Sequence, residues 1–102
     1  MKILSELLYG IEILETIGDI SLEISLICFD SRLAENKSLF IAIRGTEMDG
    51  HGFIDDALGR NAVAIVHQDE LTDKLPDITY IRVKDSHTVL AEIAQNFYDH
   101  PS

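Results

Sequence analysis

The stretch LFIAIRGTEMDGHGFIDDALGRNAVAIV, residues 39–66, decides the predicted fold. It opens with residues 39–43, an apolar run rich in β-forming residues, as in a strand buried on both faces. Glycines at positions 45, 50 and 52 follow, then an amphipathic helix over about residues 53–59 and a second apolar strand at 62–66. Strand, glycine-rich loop, helix and strand predict a βαβ unit, in which ligands bind beyond the carboxyl ends of the strands.

The flanking segments extend this unit into one α/β domain. Apolar spacing predicts a helix over residues 2–8, and residues 20–26 alternate as a half-exposed strand that runs on to residue 29. Residues 78–83 predict another strand, and Asp85 or Ser86 caps a final helix. Residues 11–19 show no clear period beyond a turn signal at Gly18. The expected fold is a single domain with a mixed, mostly parallel sheet flanked by helices.

Composition excludes several classes of function. The 102 residues include 18 acidic and 8 basic side chains, a net charge of −10, which argues against nucleic-acid binding. No apolar run approaches the roughly 20 residues that span a bilayer. The N-terminus lacks the pattern of a signal peptide, and the single cysteine, Cys28, fits a buried, inert thiol in a reducing cytosol. We therefore expect a cytoplasmic protein with no membrane partner.

Two groups of polar residues are candidates for function. Asp30, Ser31 and Arg32 follow a predicted strand, and they form either a ligand contact or a turn in which Asp and Ser bind the local backbone. His51 is either a titrating hydrogen-bonding group or a capping histidine at the edge of the core. Asp49 is a candidate N-cap, while acids at positions 55 and 56 make the start of this helix unfavourable for a phosphate.

The sequence offers little catalytic chemistry. A hydrolase using Ser31 and His51 lacks a nucleophile elbow, and there is neither a Walker A motif nor a G-x-G-x-x-G loop. The four histidines and Cys28 lack the spacing of metal ligands. We expect no catalytic residue and no metal site in this chain.

Four motifs in order resemble one family. They are D-S-R at residues 30–32, L-F-I-A-I-R-G at 39–45, D-G-H-G-F-I at 49–54 and A-E-I-A-Q-N-F-Y-D-H-P-S at 91–102. Together they resemble the N-terminal domain of Mur ligases. The R-G-T-E-M-D-G-H spelling is closer to the type that adds the third residue of the peptidoglycan stem peptide (MurE type) than to the type that adds the terminal dipeptide (MurF type). Residues 35–38 depart from the P-G-D turn that is frequent in the family.

The resemblance implies a role in recognising UDP-N-acetylmuramoyl-L-alanyl-D-glutamate. Such ligases use ATP and Mg to activate the carboxylate of the substrate as an acyl phosphate, which diaminopimelate or lysine attacks; the sequence leaves that choice open. The N-terminal domain holds the UDP end. Carried over by position, the substrate-binding residues are Phe29, Ser31, Thr46, Glu47 and Met48, with Asp30, Arg32, Asp49, Gly50 and His51 as second-rank candidates.

The same resemblance implies that residues 1–102 are one domain of a longer enzyme. Its partners would be the central ATPase domain and a C-terminal domain, and the chain alone would hold no cofactor and catalyse no ligation. A stand-alone interaction module that reuses this fold is the alternative from another functional class.

Overall fold

The computed structural model describes residues 2–44, 50–72 and 74–98. In chain order the elements of the first part are β1 (Lys2–Ile3), α1 (Leu4–Leu7), β2 (Glu15–Ile17), β3 (Glu23–Ile24), β4 (Leu26–Cys28) and a 3₁₀ turn (Ser31–Leu33). The second part contains β5 (Ser38–Ile41), a 3₁₀ turn (Gly50–Phe53), α2 (Ile54–Gly59), β6 (Ala62–His67), β7 (Thr79–Arg82) and α3 (Ser86–Tyr98).

A five-stranded sheet in the order β2-β7-β6-β5-β4 forms the centre of the molecule. The strands β4, β5, β6 and β7 are parallel, and β2 pairs antiparallel with β7 at one edge. Cys28, Phe40, Ile65 and Tyr80 align as successive partners across the four parallel strands. The predicted βαβ unit and the mixed, mostly parallel sheet are both confirmed.

Both faces of the sheet are covered because alternate residues of each strand point to opposite sides. On one face Leu39, Ile41 and Val66 pack in a core that includes residues of α1 and α3. On the other face Phe40 and Ile65 pack in a core with residues of α2. All four residues of β5 are buried, as its continuous apolar run predicts.

The last helix is capped and tied back to the start of the chain. Asp85 accepts the backbone N–H of His87 at 3.0 Å, which confirms Asp85 as the capping residue. Near the other end of α3, the amide nitrogen of Asn96 donates to the carbonyl oxygens of Leu7 at 2.8 Å and Tyr9 at 3.1 Å.

The predicted strand over residues 20–29 is wrong in its continuity, since the chain breaks into two short strands at Ser25. The Ser25 N–H donates to the Lys37 carbonyl at 2.8 Å, and its hydroxyl donates to the Asn36 carbonyl at 3.0 Å. As a result β3 pairs with β1 in a separate two-stranded sheet, whereas β4 joins the main sheet. The first helix is also shorter than predicted, because its first two residues form β1.

Candidate functional site

The carboxyl ends of β4 to β7 meet at one edge of the sheet, and the loops after β4 and β5 carry every predicted site residue. The structure describes six of these: Phe29, Asp30, Ser31, Arg32, Gly50 and His51. The other four, Thr46, Glu47, Met48 and Asp49, lie outside the described residues, as do Gly45 and residues 99–102 of the last motif. The two loops are neighbours because β4 and β5 pair directly.

The turn after β4 is organised by Asp30 and Arg32. Asp30 Oδ1 accepts the Arg32 backbone N–H at 3.0 Å and thereby caps the 3₁₀ turn. The Arg32 guanidinium also donates to both carboxylate oxygens of Asp30, at 3.1 Å and 2.8 Å. These bonds from Arg32 are the main reason that the pKa of Asp30 falls to about 2. The two side chains therefore satisfy each other and fix the shape of the turn.

Ser31 faces the protein, whereas its neighbour Phe29 faces outward. The Ser31 residue is only 4% exposed, and hydrogen bonding from its hydroxyl is the largest cause that lowers the pKa of Asp56 on α2. Asp56 also accepts from Arg60 Nε at 3.2 Å. A serine hydroxyl has one proton to donate and two lone pairs that can accept hydrogen bonds from other groups. Phe29 is 61% exposed, which leaves an aromatic side chain accessible beside this turn.

Gly50 closes the loop after β5 at its base. Its N–H donates to the Ile43 carbonyl at 2.7 Å, so the chain returns to the point where it left the sheet. A Cβ at position 50 would lie 2.6 Å from the Ile43 nitrogen, a distance that side chains do not tolerate. Glycine is therefore required by the close approach of the protein's own backbone, and not by a positive φ.

His51 acts as a hydrogen-bond acceptor. Its Nε2 accepts the backbone N–H groups of Gln68 at 2.8 Å and Asp69 at 3.2 Å, just beyond the end of β6. An imidazole nitrogen that accepts carries no proton, so the neutral tautomer has its hydrogen on Nδ1. Of the two predicted roles, the capping histidine at the edge of the core fits these contacts better than the titrating group. Asp69 in addition pairs through its carboxylate with the guanidinium of Arg44.

A second histidine, His67, is buried next to this contact. It is 1% exposed, and its Nδ1 lies 2.6 Å from the Asp69 carbonyl oxygen. Desolvation lowers the pKa of His67 to about 4, and the neighbouring charges of Lys74 and Arg82 act in the same direction. His67 is therefore a neutral donor within the core, packed edge to face on Tyr80.

These contacts do not form a hydrolytic or metal site. His51 Nε2 is occupied by two backbone N–H groups, so it is not arranged as the base of a serine nucleophile. Within residues 2–44, 50–72 and 74–98 no three metal-ligating side chains come together. None of the helices in the described segments is long and apolar enough to cross a bilayer.

The structure adds residues that motif reasoning missed. The sequence marks Asp56 only as an acid that disfavours phosphate, yet its pKa is lowered mainly by Ser31. Gln68 joins three elements, since its carbonyl accepts from Arg82 Nε at 3.1 Å and its side-chain oxygen accepts the Ser86 N–H at 2.8 Å. Nothing in the sequence marks Gln68, because such contacts depend on how distant segments meet.

Comparison with known sequences shows which proteins the chain is similar to. The family model described as "Mur ligase family, catalytic domain" matches residues 23–98. A UDP-N-acetylmuramoyl-L-alanyl-D-glutamate–2,6-diaminopimelate ligase of Cytophaga hutchinsonii is 41% identical over 97% of this chain and 21% of its own length. The protein of the same name from Bacteroides thetaiotaomicron is 42% identical over 98% of this chain and 21% of its own length. The chain thus spans about a fifth of the length of these curated relatives.

Comparison with solved structures shows the same fold. The UDP-N-acetylmuramoylalanyl-D-glutamyl-2,6-diaminopimelate–D-alanyl-D-alanyl ligase of Acinetobacter baumannii aligns with a TM-score of 0.62 at 23% identity, over 72% of this chain and 16% of that one. The MurF ligase of Thermotoga maritima, solved with ADP, aligns with a TM-score of 0.59 at 26% identity, over 78% of this chain and 17% of that one. With the family match over residues 23–98 and the sheet just described, these findings show that the chain belongs to the Mur ligase family.

Proposed function

We propose that residues 1–102 form the N-terminal UDP-sugar recognition domain of a ligase that joins diaminopimelate to UDP-N-acetylmuramoyl-L-alanyl-D-glutamate in cytoplasmic peptidoglycan synthesis. The observation that carries this proposal is the identity of 41–42% over 97–98% of the chain with proteins of that name. The relatives named MurF are 23–26% identical, so the MurE type is favoured over the MurF type.

The edge of the sheet offers the groups that a uridine needs. Phe29 presents an exposed aromatic side chain on which a flat base can stack, as bases do on aromatic platforms in many nucleotide sites. The Ser31 oxygen has acceptor capacity beside Asp56, whose pKa it lowers, so it suits an N–H or O–H donor of the ligand. Thr46, Glu47 and Met48 complete the site in this proposal through backbone groups that read the edge of the base.

The diphosphate of the ligand belongs away from the start of α2. Asp55 and Asp56 occupy the first turn of that helix, where their negative charge opposes a phosphate. The neutral base and ribose therefore bind at this edge, and the diphosphate extends toward the rest of the enzyme. ATP, Mg and the acyl-phosphate chemistry belong to the central domain, so the chain by itself binds the nucleotide-sugar weakly and does not ligate.

The test is an NMR titration of the ¹⁵N-labelled chain with UDP and with UDP-N-acetylmuramoyl-L-alanyl-D-glutamate. We expect amide shifts at Phe29, Ser31 and Gly50 with both ligands, and none with ADP, because the base is what the site reads. Phe29→Ala should weaken UDP binding by about tenfold, the loss expected for one stacked base.

Leu33→Ala is the matched control for this titration. Leu33 is 63% exposed on the same turn, as accessible as Phe29, but it has no aromatic ring. Its removal should leave the affinity for UDP unchanged. Absence of shifts at millimolar UDP and at millimolar UDP-muramoyl-dipeptide would refute the proposed function, and equal shifts with ADP would refute the reading of the base.

A further inference from the structure

The contact of His51 with the end of β6 is unusual because one side-chain atom serves two successive backbone donors. Gln68 and Asp69 follow the last residue of β6, so their N–H groups lie beyond the strand. The Nε2 atom of His51 accepts both, at 2.8 Å and 3.2 Å. Gln68 and Asp69 are half-buried, so their N–H groups are only partly open to water and this acceptor has structural value.

Further contacts fasten the same stretch of chain. Gly50, the neighbour of His51, donates to the Ile43 carbonyl at 2.7 Å and packs directly on that backbone. Arg44 pairs with the carboxylate of Asp69, the residue whose N–H binds His51. The described residues on both sides of the 45–49 segment therefore contact the region at the end of β5 and β6.

The backbone of Gln68 and Asp69, which donates to His51, is itself held by β7 and α3. The Gln68 carbonyl accepts from Arg82 on β7 at 3.1 Å, and the Gln68 side chain accepts the first N–H of α3, that of Ser86, at 2.8 Å. The Val83 N–H donates to the carbonyl of His67 at 2.9 Å. Because residues 68 and 69 are anchored to the sheet and α3, the His51 contact constrains the turn Gly50–Phe53 more than it constrains these two residues.

We propose that His51 is a positioning residue of the nucleotide site. Its unprotonated Nε2 holds the turn Gly50–Phe53, and with it the start of α2, at the carboxyl edge of the sheet. Since α2 contacts the turn Ser31–Leu33, the position of this helix also sets the turn that bears Ser31 and follows Phe29. The inference rests on the proposed function, because the edge that His51 positions is the one assigned to uridine. His51 Nε2 then serves the protein and does not touch the ligand.

The chemistry of position 51 can be separated from its size by three variants of the chain. His51→Gln places an oxygen acceptor the same number of bonds from Cα as Nε2, whereas His51→Leu has no acceptor. His87→Leu is the control, because His87 is an exposed histidine on α3. Each is titrated with UDP, and amide hydrogen exchange is measured at Gln68 and Asp69.

Removing the hydrogen-bond acceptor at position 51 should weaken the affinity for UDP about tenfold, which corresponds to the net contribution of one or two hydrogen bonds. We expect His51→Leu to raise the Kd for UDP about tenfold and to lose exchange protection at Gln68 and Asp69. His51→Gln should stay within about twofold of the unchanged chain and keep the protection, as should His87→Leu. A side chain that only filled space would not be rescued by glutamine in preference to leucine.

The outcomes separate this inference from the function on which it rests. If the unchanged chain does not bind UDP, the proposed function fails. If it binds and His51→Leu binds equally well, His51 has no positioning role and the inference is overturned. If His51→Leu does not fold, His51→Gln decides: unchanged affinity and protection support the inference, and loss of both refutes it.

Discussion

Lowering the pH from 7 to 4.5 should destabilise this protein through one buried side chain, His67. The residue is 1% exposed, and desolvation brings its pKa from 6.5 to about 4. The unfolded chain therefore binds a proton in this range that the folded protein does not. The stabilisation from a neutral His67 is complete above pH 6.5 and is lost as the pH falls toward 4.

The size of the effect follows from the two pKa values. Between pH 7 and 4.5, a shift of the pKa from 6.5 to about 4 corresponds to a loss of roughly 2.5 kcal/mol at 1.36 kcal/mol per pKa unit. For a domain of this size, such a loss lowers the melting temperature by roughly 10–20 °C. Asp30 contributes in a separate range, because its pKa is lowered from 3.8 to about 2 and its contribution is lost only as the pH falls through those values.

Urea unfolding between pH 7 and 4.5, followed by circular dichroism, measures this slope; the chain contains no Trp for fluorescence. His67→Asn is the informative variant, since its amide nitrogen can replace Nδ1 as donor to the Asp69 carbonyl and cannot become charged. It should be less stable at pH 7, because the ring packed on Tyr80 is lost, but nearly flat with pH. His87→Asn, at an exposed position, should keep the slope. Equal slopes in His67→Asn and the unchanged chain would refute the assignment to His67.

Three further substitutions or reagents test other parts of the structure. Gly50→Ala should lower the free energy of unfolding by about 2 kcal/mol, because its Cβ would clash with backbone atoms of Ile43. Gly52→Ala is the control and should be close to neutral in the same urea experiment, since the space around its Cβ is open. Equal losses of stability in the two variants would contradict the steric argument. The Cys28 residue is 4% exposed, and the pKa of its thiol is raised to about 11, mainly by desolvation. The thiol should therefore react with Ellman's reagent at pH 8 only after the protein unfolds. Immediate reaction of the folded protein would be inconsistent with this burial. Lys37→Gly should raise the free energy of unfolding by about 0.5 kcal/mol, because Lys37 has a φ of 62°, in the left-handed region. The melting temperature should rise accordingly. A lower melting temperature would show that another contact of Lys37 outweighs the backbone strain.

The parts of the fold that sequence reasoning predicts correctly are those where local pattern and burial agree. The apolar runs that become β5 and β6 are buried strands, and the glycine-rich link and helix between them follow from turn chemistry and helical spacing. Sequence pattern does not reveal the edge strand β2, because all of its residues are exposed and it is held by pairing with β7, far along the chain. An alternating pattern also concealed the break at Ser25, which depends on the backbone around Lys37.

The candidate site divides in the same way. The D-S-R motif marks the turn after β4, and the hydrogen bonds of Asp30 within this turn are of the local kind that sequence can anticipate. The packing of α2 on the turn Ser31–Leu33 and the contact of His51 with the end of β6 join residues 17 or more positions apart, so no local pattern predicts them. The assignment of Phe29 and Ser31 to the ligand stays a prediction until the titration is done.

The amide of Asn96 has a consequence for how the chain is made. It donates to the carbonyls of Leu7 and Tyr9, 89 and 87 positions earlier in the sequence. During synthesis, therefore, α1 leaves the ribosome long before α3 has been made. Until then its apolar residues Leu4 and Leu7 lack the helix that covers them in the folded protein. Folding of the N-terminal segment is therefore completed only after α3 has been synthesised and has packed on the sheet.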